Sequence, residues 1–260
     1  MINIFEIERF GFPGMQAREA IQILYDNSTL PQQKKQASDY LLSLQIPSNL
    51  QLFMDLLAHD HHSQFYALGA LHQLALTKEQ KISISHYLTA NIQEQPLPPY
   101  LSRKYLICII DFSIECLSEK PIQRFCSIFA NNPAFSIEYL GLFPQQAENA
   151  QRDVAELVKN NIVMYMSESV QLALDYLVPH LSNVDMHVQK GAFIAMSSWV
   201  SYGIIPTEYY IIYLVLLCKL CIWFLISSFR KLSMCNVKCY ARCLETTDSK
   251  AWHSVFPHRY

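Results

Sequence analysis

Ala17-Arg-Glu-Ala-Ile-Gln-Ile-Leu-Tyr-Asp-Asn-Ser-Thr-Leu-Pro-Gln-Gln-Lys-Lys-Gln-Ala-Ser-Asp-Tyr-Leu-Leu-Ser-Leu44 carries the reading that decides the fold. Ala17, Ala20, Ile21, Leu24 and Tyr25 fall at i, i+3, i+4, i+7 and i+8, the spacing of one buried helical face. Asp26-Asn-Ser-Thr29 stops that helix, and Pro31 opens the next, as proline does at a first helical position. Ala37, Tyr40, Leu41 and Leu44 form the second stripe. Helix, short break, helix then recurs. Ile46-Pro47 ends the second helix, and Leu50, Phe53, Met54 and Leu57 make a third stripe. The Asp60-His-His-Ser63 turn leads to a fourth, with Phe65, Leu68, Leu71 and Ala75. Lys78 to Ile92 predicts a fifth helix through Ile82, Ser85, Leu88 and Ile92. Gln95-Pro-Leu-Pro-Pro99 is a linker, and Tyr100 to Leu117 is strongly apolar. Pro121 and Pro133 each open a short helix. Arg152 to Leu177 is one or two long helices, and Asp185 to Ser201 is the last of the series. Starts near Gly14, Ser48 and Lys78 fit antiparallel helix pairs repeating at roughly 30–47 residues, the signature of an α-solenoid. The fold class expected is all-α.

Composition agrees. The chain of 260 residues is 51% apolar and only 16% charged, with six glycines, which favours packed helices over glycine-turned sheets. A net charge of −2 offers no basic stripe for nucleic acid. Cys108, Cys116 and Cys126 sit in apolar runs and read as reduced core residues. The N-terminus has acidic residues where a signal peptide needs basic ones. The chain changes character at Pro206. All six glycines precede it, whereas five of the eight cysteines follow it. The segment after it carries seven Lys/Arg and three Asp/Glu, a balance of +4 against −6 before it. Two domains are therefore expected, 1–206 helical and 207–260 apolar and cysteine-rich.

The first domain resembles a known family. Ala20-Ile-Gln-Ile-Leu-Tyr-Asp26, Lys35-Gln-Ala-Ser-Asp-Tyr-Leu-Leu-Ser-Leu44 and Phe65-Tyr-Ala-Leu-Gly-Ala-Leu71 occur in the order seen in the N-terminal arm of importin-β superfamily receptors, in the branch of transportin-SR. Ser197-Ser-Trp-Val-Ser-Tyr-Gly-Ile-Ile-Pro206 resembles the Ser-Trp-aromatic-Gly helix end of that branch. The resemblance spans roughly Gly14 to Pro206. It implies HEAT-type antiparallel helix pairs wound into a right-handed superhelix. It implies transport between nucleus and cytoplasm, with Ran in its GTP form, protein cargo and nuclear pore proteins as partners. It also implies that the inner helix of each pair contacts Ran, and the second helices are taken as the inner ones. The candidate contacts on those helices are Lys34, Lys35, Tyr66, Gln73, Lys104, Asp111 and Glu115; each is equally an ordinary solvated helix residue. Family members are several times longer, and the resemblance implies a further amphipathic helix pair after Pro206; that pattern is absent, so the receptor-like sequence is expected to end near Pro206 and to be followed by an unrelated segment. A HEAT-type scaffold outside transport is the second reading.

No P-loop, GxSxG, HExxH or GxGxxG motif occurs, so the residues point to neither catalysis nor a cofactor. His59-Asp-His-His62 is a polar turn between helices, since a structural metal site draws ligands from two separated segments. Cys218-x-x-Cys221 and Cys235-x-x-x-Cys239-x-x-x-Cys243 lack the paired CxxC knuckles of a zinc ribbon. Tyr209 to Ser227 forms an apolar C-terminal helix in expectation. It is long enough to span a bilayer, although Lys219 at its centre costs about 2.5–3.5 kcal/mol on insertion scales. A cap on the end of the solenoid and a membrane anchor through 209–227 are both open for it.

Overall fold

A computed structural model describes residues 13–94, 96–152 and 154–203. These residues belong to one compact unit. They form ten α-helices and no strand. The helices are α1 Pro13–Tyr25, α2 Pro31–Ser43, α3 Leu50–Leu56, α4 His61–Gln73, α5 Lys78–Glu94, α6 Pro99–Ile114, α7 Pro121–Ile128, α8 Pro133–Ala150, α9 Glu156–His180 and α10 Met186–Tyr202. Short 3-10 turns at Pro47–Asn49 and Leu117–Glu119 precede α3 and α7. The expectation of an all-α fold holds for these residues.

The sequence sets most helix ends. Pro31, Pro99, Pro121 and Pro133 each occupy the first turn of a helix, where a missing N–H costs nothing. The Asp60 side chain accepts from the backbone N–H groups of His62 and Ser63 and so caps α4; the histidine-rich turn serves as a helix start. Asp185 caps α10 in the same way through His187. Gly203, at φ 85, closes α10 in the left-handed conformation that glycine adopts without penalty.

Consecutive helices pack as pairs, α1 with α2, α3 with α4, α5 with α6, α7 with α8 and α9 with α10. The direction within a pair is visible in α5 and α6. Lys81 meets Glu115, and Ser85 meets Ser113, so residue numbers rise on one helix as they fall on the other: the pair is antiparallel. Between pairs the second helices touch in the order α4, α6, α8, α10. Here numbers rise together. The Phe65 ring lies near Tyr100 and Lys104, the Cys108 thiol donates to the Leu68 carbonyl at 3.2 Å, and His72 meets Asp111. α4 and α6 therefore run parallel. The same holds for α8 and α10, where Ile137 faces Gly191 and Gly141 faces Ala195.

Burial corrects several stripes. Phe53, Leu56 and Leu57 fill the core from α3, and Ala67, Leu68, Ala70, Leu71 and Leu74 from the region of α4. Ala75 is exposed beyond the end of α4, and Phe65 is only half-buried. The Pro133 helix is not short: it runs 18 residues and contains Pro144. A proline inside a helix deprives the carbonyl four residues earlier of its donor. That carbonyl belongs to Leu140, and the Trp199 indole N–H donates to it at 2.9 Å from α10. Trp199 is fully buried. The kink-prone point of α8 is thus satisfied by the neighbouring second helix.

These contacts make two predictions about stability. Trp199→Phe lowers unfolding stability by about 2 kcal/mol through lost area and an orphaned carbonyl. Pro144→Ala in that background recovers about 1 kcal/mol, because its new N–H can serve Leu140. Urea denaturation of the two single variants and the double variant measures the coupling. A Cβ at Gly141 lies 3.2 Å from the Ala195 Cα, whereas one at Gly69 meets nothing within 4 Å. Gly69→Ala therefore stabilises by about 0.5–1 kcal/mol from helix propensity. Gly141→Ala destabilises by about 1 kcal/mol as α8 and α10 are forced apart, and thermal unfolding shows the opposite signs.

Candidate functional surface

The second helices each turn one unburied stripe outward. On α4 it contains Phe65, Gly69, His72 and Gln73; on α6, Tyr100, Arg103, Lys104, Ile107 and Asp111. On α8 it contains Ala134, Glu138, Gly141 and Gln145; on α10, His187, Gly191, Ile194, Ser198 and Ser201. Because these helices pack in succession and α4–α6 and α8–α10 run parallel, the stripes lie side by side.

Cross-links tie the stripes together. His72 Nδ1 sits 3.3 Å from Asp111 Oδ2, joining α4 to α6. Arg103 lies 3.8 Å from Glu138, joining α6 to α8. Lys104 Nζ is 5.8 Å from the centroid of the Phe65 ring, a cation over an aromatic face. Burial raises the Asp111 carboxyl to about 6, with His72 and Lys104 opposing and Glu115 adding to the rise. Between α8 and α10 a groove of about 530 Å³ opens, lined by Arg103, Glu138, Gln145, His187 and Ser198. Gly141 and Gly191 line it too.

The sequence-predicted contacts divide. Lys104 and Asp111 share the α6 stripe opposite the buried Tyr105 and Phe112. Gln73 is exposed at the end of α4. Tyr66 instead holds two helices together. Its hydroxyl donates to the Leu41 carbonyl at 2.8 Å and accepts from Gln45 at 3.2 Å, tying α4 to the end of α2. Glu115 pairs with Lys81 and ties α6 to α5. Lys34 and Lys35 lie on α2, half-exposed and exposed, and Lys34 acts on the nearby Asp26. No contact among the described residues links these two lysines to the α6 stripe. Sequence reasoning missed Phe65, His72, Tyr100 and Arg103. His72 stands seven residues after Phe65, a spacing that finds it once Phe65 is recognised as a surface residue.

The surface offers paired charges, an aromatic patch and hydroxyls, which is chemistry for recognition. Among the described residues no three His, Cys, Asp or Glu side chains are placed to hold a metal ion. None of the described helices is long and apolar enough to cross a membrane. The 209–227 segment, the tail cysteines and the expected C-terminal helix lie outside the described residues. The class defined here is an all-α protein of packed helix pairs that presents a mixed surface from its second helices. No protein-family model matches the chain, and no characterised protein matches it significantly.

The Asp111 shift gives a pH prediction. A carboxyl held above its unfolded value keeps its proton more tightly in the folded state. Its stabilising contribution is full in acid and is lost as pH rises from about 4 through about 6. Asp111→Asn therefore gains stability over the native chain on the order of 1–2 kcal/mol between pH 4 and pH 7.5. Denaturant midpoints at the two pH values measure it.

Proposed function

We propose that this chain is the HEAT-repeat N-terminal arm of an importin-β-type nuclear transport receptor. It binds Ran in the GTP form, protein cargo or both through the surface of its second helices. The observation that carries the reading is the packing of consecutive helices as pairs, with α5 and α6 antiparallel and the second helices parallel at the α4–α6 and α8–α10 seams. Such packing propagates into an α-solenoid, in which one helix of every pair lines a shared binding surface. The order of the Leu-Tyr-Asp, Tyr-Leu-Leu and Ser-Trp-Val segments supports the family, and the Ser-Trp segment includes the indole that bridges α10 to α8. In this reading Lys104, Arg103 and the Phe65–Tyr100 pair form the centre of the contact, flanked by Gln73 and the His72–Asp111 pair. Binding, rather than bond chemistry, is the activity. Contact with nuclear pore proteins and shuttling between nucleus and cytoplasm belong to the same proposal.

The test is binding of the full chain to immobilised Ran loaded with a non-hydrolysable GTP analogue or with GDP. Binding is expected only to the GTP form. Lys104→Glu and Arg103→Glu weaken it about tenfold each, the effect of losing roughly 1.4 kcal/mol of interface electrostatics. Lys159→Glu on α9 leaves it unchanged. Absent or nucleotide-independent binding overturns the transport reading.

A further inference from the structure

Three contacts run in order along the α4–α6 seam, each one helical turn from the next. The Lys104 ammonium lies over the Phe65 ring, the Cys108 thiol donates to the Leu68 carbonyl, and His72 meets Asp111. The third rung is the terminal one on α4. That helix ends at Gln73, and Leu74 leaves it in an extended conformation. Helix ends are where opening costs least. The rung is also asymmetric: the His72 side chain is 45% exposed and that of Asp111 only 17%. Water reaches the pair through the imidazole, while the carboxylate is largely enclosed. The charged groups around Asp111 are few. From α4, His72 faces it. On α6, Lys104 favours its ionised form and Glu115 opposes it. Glu115 is itself engaged by Lys81 of α5, and Arg103 by Glu138 of α8.

We propose that the His72–Asp111 rung is a proton-controlled latch on the last turn of α4: the turn closes against α6 over a protonated pair and opens when the pair loses its proton. Closing takes the Asp111 carboxyl out of water. An enclosed carboxylate loses hydration, and that penalty disappears when it carries a proton. Opening returns water to the carboxylate, so the deprotonated pair favours the open turn. The other two rungs do not follow. Burial pushes the Cys108 thiol up to about 12, so its bond to Leu68 keeps its proton throughout. The Lys104–Phe65 contact involves a side chain that stays cationic over the same range. Movement is therefore confined to the turn carrying His72 and Gln73, both on the unburied stripe of α4. The latch acts on that surface whichever partner it takes, and does not depend on the transport reading.

Native-state amide hydrogen exchange of the full chain is the test, read at the Leu71, His72 and Gln73 N–H groups and corrected for the intrinsic rate at each pH. With Asp111 at about 6 when closed and near the ordinary value of about 3.9 when open, opening of this turn rises about fourfold from pH 5.5 to pH 7.5. Protection falls by the same factor. Low urea leaves the exchange unchanged, because a local opening exposes little surface. Asp111→Asn keeps the shape of the side chain and abolishes the pH step. Equal protection at the two pH values overturns the proposal. So does a step that persists in Asp111→Asn, or one that grows with urea as global unfolding does. The carboxyl carbon shift of Asp111 in the native chain is a second readout that needs no variant. A midpoint near 6 supports the latch, and one near 4 overturns it.

Discussion

The Leu140 carbonyl is the point on which the second half of the described helices depends. Pro144 removes its helical donor, and a buried carbonyl without a partner costs about 1–3 kcal/mol. Trp199 supplies the donor from α10, and in doing so sets how far α10 slides along α8. The register brings Gly191 against Ile137 and Gly141 against Ala195, so the two helices approach closely. A larger residue at Gly141 would press on the Ala195 backbone and force α10, with its indole, away from α8. One hydrogen bond thus couples the proline, the tryptophan and two glycines into a single packing decision.

The α4–α6 seam reaches a comparable result with different chemistry. The Cys108 thiol donates to the Leu68 carbonyl, while His72 meets Asp111 one turn further on. Both seams hold second helices in parallel, and in both the link lies beside the unburied stripe. The surface proposed for partner binding is therefore braced from within and at its edge. The Asp111 carboxyl, pushed up to about 6, makes the α4–α6 brace sensitive to pH.

How much of this is legible from the residues varies by element. The starts of the helices opened by Pro31, Pro121 and Pro133 are readable, because proline is favoured at a first turn; Pro99 reads as linker, yet it too occupies a first turn. Phe65 reads as core since it shares the three-residue spacing of Leu68 and Leu71. In the structure the α4 core is served by Ala67, Leu68, Ala70 and Leu71, leaving Phe65 under Lys104. Tyr66 reads as a surface contact because it falls on the face opposite that apolar stripe. Its hydroxyl is instead committed to Leu41, 25 residues away, which local periodicity does not encode. The Pro133 helix reads as short, yet it continues through Pro144. It can do so because the orphaned carbonyl finds a donor 59 residues away.

The sequence by itself determined that the described part of this chain is helical, where most of its helices begin and end, and that apolar stripes recur along it. Those properties are local: propensity, capping and 3.6-residue periodicity act within a few turns. Only the tertiary structure decided which helices run parallel, which polar side chains are spent on holding them, and which remain to form a surface. That decision rests on contacts between residues far apart in sequence, where a carbonyl, a thiol or a carboxylate is satisfied by whichever helix packing brings beside it.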